Sequence, residues 1–210
     1  MPSLAFFRDH GIFVEERFFD AAACARLRSE IRRGQAEKYR LVKDGSPGEV
    51  LDEDSKRSWK VRVNESTEAM VVAGLGSLKP RLEKHFALSF TESTKPAFLR
   101  YGEGSFCKPH RDADAGAAAK FPVAVVVLLS AATTAPAADG FGGGELRFYG
   151  LLDGPGWEGC GFPVEAEAGS LLAFRSDVVH EVRPVTFGER FTIVSWLGVG
   201  TDAELPSSRR

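Results

Sequence analysis

Apolar positions recur at helical spacing in the first part of the chain and alternate at strand spacing in the rest. Ala23, Leu27 and Ile31 fall on one face, with Asp20 ahead of them and Gly34 behind, which predicts a capped amphipathic helix. Just upstream, residues 11–19 predict a short strand. A second helix is predicted from about Ser66 to Phe86, with Asn64 as its cap and Pro80 restarting the helix rather than interrupting it. Between the two helices, residues 41–58 hold Gly45, Pro47 and Gly48 and then a charged run from Asp52 to Arg57, the composition of a mobile loop.

From residue 96 onward roughly eight strand-like segments follow at short spacing, separated by Gly-rich or Ala/Pro-rich turns. Residues 123–129 form a β-branched apolar run of strand length and predict a buried strand. Residues 191–197 alternate after a turn marked by Pro184 and Gly188. Two insertions rich in Gly, Ala and Pro, residues 131–142 and 150–161, are expected to rim the entrance to the core. The predicted fold is α+β and mainly β: two antiparallel sheets closed into a double-stranded β-helix, a jelly roll of the cupin sort, buttressed by N-terminal helices. At 210 residues a single domain is expected. Residues 1–95 would supply helical support and the loop, 96–198 the jelly-roll core, and 199–210 a tail.

A formal net charge of −2 leaves no basic field to draw in nucleic acid. Cys24, Cys107 and Cys160 are odd in number and lack metal-finger spacing, which suits free thiols in a reducing cytosol. Neither a basic leader with an apolar core nor a membrane-length apolar run is present, so a soluble, cytoplasmic protein without membrane association is expected.

The polar residues that change this picture are His110, Asp112, His180 and Arg190. Two neutral imidazoles and one carboxylate make the facial triad that holds non-haem Fe(II) and leaves positions open for oxygen and a co-substrate. His110 and Asp112, two apart, would project to one side of an extended strand and so reach one metal. His180 alone reads equally as a core histidine between valines, until Arg190 is considered. An arginine pointing into a half-buried barrel wall strands a charge unless an anion meets it, and bidentate binding of a carboxylate is what its fork is built for.

Here the chain resembles the Fe(II)- and 2-oxoglutarate-dependent dioxygenases of the prolyl 4-hydroxylase type. The segment from Phe98-Leu99-Arg100-Tyr101 through Pro109-His110-Arg111-Asp112 is similar to that family's entry to the metal site. Gly143-Gly144-Glu145-Leu146 resembles its central segment, and residues 169–174 with 180–185 resemble its closing half. The resemblance spans about residues 96 to 198. It implies that His110, Asp112 and His180 bind iron, that Arg190 binds the distal carboxylate of 2-oxoglutarate, and that Tyr101 and Trp196 line the co-substrate pocket. Thr192 and Ser195 are further candidate hydroxyls there, the strand face being open. Cys107 departs from the family, whose members often carry an aromatic residue at that position. The implied cofactors are Fe(II), 2-oxoglutarate and O2, with ascorbate as a candidate reductant.

The first expectation for activity is hydroxylation of a prolyl or other side chain in a peptide or protein. Hydroxylation of a free amino acid or small natural product is the alternative, and a metal-retaining jelly roll that senses without turnover is the rival outside enzymes. Arg57, Lys108 and Arg111 are candidate substrate clamps and read equally as exposed surface charges. In the family resembled, the loop in residues 41–58 often folds over substrate. Oligomeric state is not set by the sequence.

Overall fold

The computed structural model describes residues 2–42, 48–114, 120–137, 139–157 and 159–200. Helix α1 (Leu4–Asp9) opens the chain and is followed by β1 (Phe13–Glu15), α2 (Ala21–Arg33), and the short strands β2 (Ala36–Lys38), β3 (Leu41–Val42), β4 (Glu49–Val50), β5 (Lys56–Arg57) and β6 (Trp59–Val61). Helix α3 (Glu65–Phe86) leads into β7 (Glu92–Ser93), β8 (Ala97–Tyr101) and β9 (Phe106–His110). Then come β10 (Val123–Leu128), β11 (Ala131–Ala132), β12 (Gly140–Gly143), β13 (Leu146–Tyr149) and β14 (Gly161–Pro163). The last strands are β15 (Leu171–Arg175), β16 (His180–Val182), β17 (Val185–Gly188) and β18 (Arg190–Gly198).

Two sheets form the core. The larger is eight-stranded, in the order β1-β15-β10-β18-β8-β6-β2 with β7 also on β18, and the smaller is five-stranded, β14-β13-β16-β9-β5. Antiparallel pairing runs through both. This is the mainly β jelly roll expected, with α2 and α3 packed outside it.

Strand β10 shows why the sheets sit where they do. Val123, Val125 and Val127 pack into the outer cluster with Leu27, Ile31, Leu75 and Leu82 of the helices. Ala124, Val126 and Leu128 face the inner cluster with Leu99, Phe148 and Phe174. Both faces are covered, so the strand reads as one continuous apolar run rather than an alternation. Strand β15 divides in the same way, with Leu171 and Ala173 outward and Leu172 and Phe174 inward.

Helix α2 begins as its spacing predicts. The Asp20 carboxylate accepts the Ala23 N–H at 2.6 Å, and Ala23, Cys24, Leu27 and Ile31 form the buried face. The helix ends at Gly34, whose backbone is extended, and a Cβ there would lie 2.5 Å from the Arg62 carbonyl oxygen, so a side chain does not fit. Helix α3 is capped differently from the expectation. The Asn64 side chain makes no capping bond, and Glu30 of α2 accepts the Asn64 N–H and the Thr67 hydroxyl, each at 2.7 Å. The helix continues through Pro80 without a restart.

Other differences are local. In residues 11–19 only Phe13–Glu15 pairs as strand, and the chain turns at Arg17, whose φ is 59°. The expected loop at 41–58 is partly strand, because β3 pairs with β4 and β5 joins the smaller sheet beside β9. Residues 43–47 of that loop, and residues 201–210 of the expected tail, lie outside the described residues. The first insertion supplies β11 and much of β12, which make a small three-stranded sheet with β17. With Arg190, Phe191, Glu145 and Ser170 it walls a cavity of about 610 Å³, and none of the three predicted metal ligands lines that cavity.

Candidate metal centre

His110 closes β9 and His180 opens β16, and the register of these antiparallel neighbours places the two residues directly opposite each other. Cross-strand partners share a face of the sheet, and here the ring centroids are 4.3 Å apart. The register shifts between His180 and Val182, a bulge of the kind that re-aims a side chain at a site. Asp112 reaches the same point by another route. It lies past the end of β9, in a 3-10 turn over Asp112–Asp114, so strand alternation is not what brings it alongside His110. Its Oδ1 is 3.5 Å from His110 Nε2 and its Oδ2 is 3.9 Å from His180 Nε2.

The three ligand atoms lie within 4.8 Å of one another, and both imidazoles are oriented for coordination. His110 Nδ1 bonds the Lys108 carbonyl at 2.9 Å, and His180 Nδ1 bonds the Val178 carbonyl at 3.1 Å. A carbonyl oxygen only accepts, so each Nδ1 carries a proton and each Nε2 is the ring atom turned to the space beside Asp112. Trp196 holds the carboxylate from the far side, its indole N–H donating to Asp112 Oδ2 at 2.9 Å. This donor set, two imidazole nitrogens and one carboxylate oxygen, suits a divalent iron.

Charges around the centre are strongly biased. Burial alone would push Asp112 up, but hydrogen bonding to His110 and the nearby imidazoles hold it down at about 2. Burial opposes a charge on His110, and the bonds to Asp112 and Cys107 win, raising it to about 10. His180, deeper in the wall against Phe174, is pushed down by burial to about 4.

Strand β18 crosses the opposite wall. Alternation turns Phe191 and Ile193 toward the helices, and turns Arg190, Thr192, Val194 and Trp196 into the barrel. Arg190 is 2% exposed, and its guanidinium lies 5.2 Å from the ring of Tyr101, its register partner on β8. Burial depresses its pKa, and no carboxylate among the described residues pairs with it. An orphaned buried guanidinium is a fitting seat for a carboxylate brought by a ligand, and 2-oxoglutarate carries one at each end. Of the two hydroxyls left open on β18, Thr192 faces inward and is 1% exposed, whereas Ser195 donates to the Thr94 carbonyl at 3.0 Å.

The candidate clamps do not converge on the centre. Arg57 is exposed and stacks over Phe106, its register partner, at 5.6 Å. Lys108 is exposed, and its contribution to the site is the backbone carbonyl under His110. Arg111 is exposed and donates to the Asp177 carbonyl at 3.1 Å, bracing the turn after β9 to the turn before β16. The inward cation on β5 is Lys56, which the sequence reading did not single out. It is 9% exposed, stands opposite Cys107, and holds its ammonium 3.6 Å from the centroid of the Tyr39 ring. In a short charged run, Lys56 and Arg57 look alike, and only the pairing of β5 with β9 decides which one faces in.

Comparison with known proteins agrees with this geometry. The family model of the 2OG-Fe(II) oxygenase superfamily matches residues 96–198. A PKHD-type hydroxylase of Maricaulis maris is 30% identical over 98 residues, covering 47% of this chain and 39% of the relative. The chain thus spans about two fifths of that curated relative's length. Among solved structures, a Pseudomonas putida prolyl-4-hydroxylase superposes with a TM-score of 0.68 at 22% identity, covering 93% of this chain and 96% of that one. A Trichoplax adhaerens prolyl hydroxylase, solved with a peptide of hypoxia inducible factor, superposes with a TM-score of 0.65 at 17% identity, covering 92% and 86%. At these identities the superpositions speak to the fold, and the matched segment speaks to the family. It begins before β8 and ends at the close of β18, enclosing His110, Asp112, His180 and Arg190: over these residues the chain is a 2OG-Fe(II) oxygenase superfamily domain.

Proposed function

We propose that this protein is an Fe(II)- and 2-oxoglutarate-dependent hydroxylase that converts a C–H bond of a peptide or protein side chain, most simply a prolyl one, to an alcohol. The observation that carries the reading is the pairing of a His-Asp-His cluster with an orphaned arginine on the facing wall of one barrel. The peptide class is supported by the prolyl hydroxylases among the structures sharing the fold, one of them holding a peptide.

In this reading His110, Asp112 and His180 hold the iron through Nε2, a carboxylate oxygen and Nε2. With Fe(II), 2-oxoglutarate and O2 bound, the centre supplies the oxidising power for hydroxylation, releasing succinate and carbon dioxide. Trp196 keeps the Asp112 carboxylate turned toward the metal. Arg190 receives the distal carboxylate, with Tyr101 stacked on its guanidinium and the Thr192 hydroxyl on the same wall. Leu99, Phe148 and Val182, buried in the inner cluster, keep water from the reacting carbon. Lys108 and Arg111 flank the metal strand at the surface, where a peptide would pass. Ascorbate is the candidate reductant for iron oxidised in unproductive turnover. The three cysteines are free, which fits residence in a reducing cytoplasm. No described helix is long and apolar enough to cross a membrane.

The test is to load the protein anaerobically with Fe(II) and 2-oxoglutarate and then admit O2 with candidate peptides. Succinate release and addition of one oxygen atom by mass spectrometry are expected. His110→Ala and Asp112→Ala should abolish both and lose the metal. Unchanged Fe(II) affinity and succinate formation in those variants would overturn the proposal.

A further inference from the structure

Lys56 is the buried charge for which the iron site and Arg190 do not account. It stands opposite Cys107 across the β5–β9 pairing, and cross-strand partners share a face. Cys107 belongs to the inner cluster, with its Sγ 3.6 Å from His110 Nδ1, so the lysine is on the metal-facing side of the smaller sheet. Its ammonium rests on the Tyr39 ring, and among the described residues it has no carboxylate or hydrogen-bonding partner. Two residues on, Ser58 is likewise buried with its hydroxyl unpartnered. An ammonium carries three donors, and a ring face satisfies its charge in part and none of its hydrogen-bonding capacity.

Lys56 and Arg190 are two buried cations turned inward from different sheets, on β5 and β18. Lys56 stands opposite Cys107, whose Sγ is 3.6 Å from His110 Nδ1, whereas the Arg190 guanidinium lies over the ring of Tyr101, its partner on β8. Lys56 is thus the cation at the metal end, and Arg190 the one at the far end. A carboxylate bound to a metal through one oxygen keeps lone pairs on the other, which is the geometry a nearby ammonium serves.

We propose that Lys56 is a second co-substrate anchor, gripping the metal-proximal carboxylate of a 2-oxo acid while Arg190 holds the distal one. The inference rests on the hydroxylase reading above. It makes the pocket selective for a 2-oxo dicarboxylate by two separable contacts, one at each end. A carboxylate on the hydroxylation substrate would share the chemistry, and the experiment separates the two sources.

Mn(II)-loaded protein is titrated calorimetrically with 2-oxoglutarate and with 2-oxopentanoate, which keeps the keto acid end and lacks the distal carboxylate. Lys56→Met, which keeps the apolar stem, should weaken both ligands by about ten-fold or more. Arg190→Met should weaken 2-oxoglutarate alone, and Lys56→Arg should restore part of the loss. Bound Mn(II), measured by elemental analysis, should be equal in wild type and Lys56→Met, so that a lost metal is not mistaken for a lost anchor. Unchanged affinity for both ligands in Lys56→Met overturns the proposal and leaves the ammonium to a carboxylate of the substrate. A loss confined to 2-oxoglutarate overturns it as well, because Lys56 would then serve the distal end. Wild-type protein that binds Mn(II) and neither 2-oxo acid would instead overturn the hydroxylase reading, and this inference with it.

Discussion

Trp196 donates its indole N–H to Asp112 Oδ2 across 2.9 Å, joining residues 84 apart in the chain. Asp112 stands on a 3-10 turn rather than a strand, so its direction depends on such a tether more than those of the two histidines do. Trp196→Phe keeps the ring and removes the donor. Metal affinity is expected to fall about ten-fold, the lower end of what loss of a ligand's supporting hydrogen bond costs, with little change in thermal stability. Titration with Fe(II) or Mn(II) beside thermal melts checks this, and an unchanged affinity would show the bond to be incidental.

The pH response of the metal-free protein follows from the opposed shifts of its two histidines. His110 is raised from 6.5 to about 10, so its bond to Asp112 contributes stability fully below 6.5 and loses it as pH rises through 10. His180 is lowered from 6.5 to about 4, so the unfolded chain binds the extra proton in that window and stability falls as pH drops through it. The two slopes meet, and melting temperatures of the metal-free protein should peak near pH 6.5. His110→Ala should erase the alkaline decline and spare the acid one.

Metal binding displaces the proton that His110 carries at neutral pH, since coordination needs the free Nε2 lone pair. Calorimetric titrations with Mn(II) at pH 7.5, repeated in buffers of different ionisation enthalpy, should return close to one proton released per metal. A value near zero would mean that His110 is already neutral in the metal-free protein.

Burial of the Arg190 guanidinium, with no carboxylate among the described residues paired to it, costs the fold free energy. Arg190→Met should raise the stability of the metal-free protein by about 1 to 4 kcal/mol, as apolar replacement of buried charge does. The same variant should lose the rise in melting temperature that wild type shows with Mn(II) and 2-oxoglutarate. Parallel melts with and without ligand read both effects, and destabilisation of the ligand-free variant would mean that the guanidinium has a partner when no ligand is bound.

Phe174 couples the core to the centre. It is fully buried, its ring meets that of Phe148 at 4.8 Å, and it meets His180 at 4.7 Å. Phe174→Ala should cost about 3 to 5 kcal/mol of stability and also weaken metal binding, because the cavity releases the His180 ring. Urea denaturation and metal titration of the same sample should both change. Loss of stability with unaltered metal affinity would confine Phe174 to the core.

The chain announced much of this by itself. Alternation and the apolar run at residues 123–129 determined a mainly β fold, because a strand buried on both faces has nowhere to place a polar residue. The ordered residues His110, Asp112, His180 and Arg190 determined the kind of chemistry, because these donor types suit a ferrous ion and a carboxylate. Helix α1 escaped notice because six residues hold too few turns for a periodic signal. Tertiary structure alone decided the direction of each side chain. Which of Lys56 and Arg57 faces inward, and which of Thr192 and Ser195, depends on strand register, and a one-residue slip exchanges the two faces. Sequence neighbours cannot express that choice, because it is made by strands from distant parts of the chain: β9 for Lys56, and β8 and β10 for Thr192.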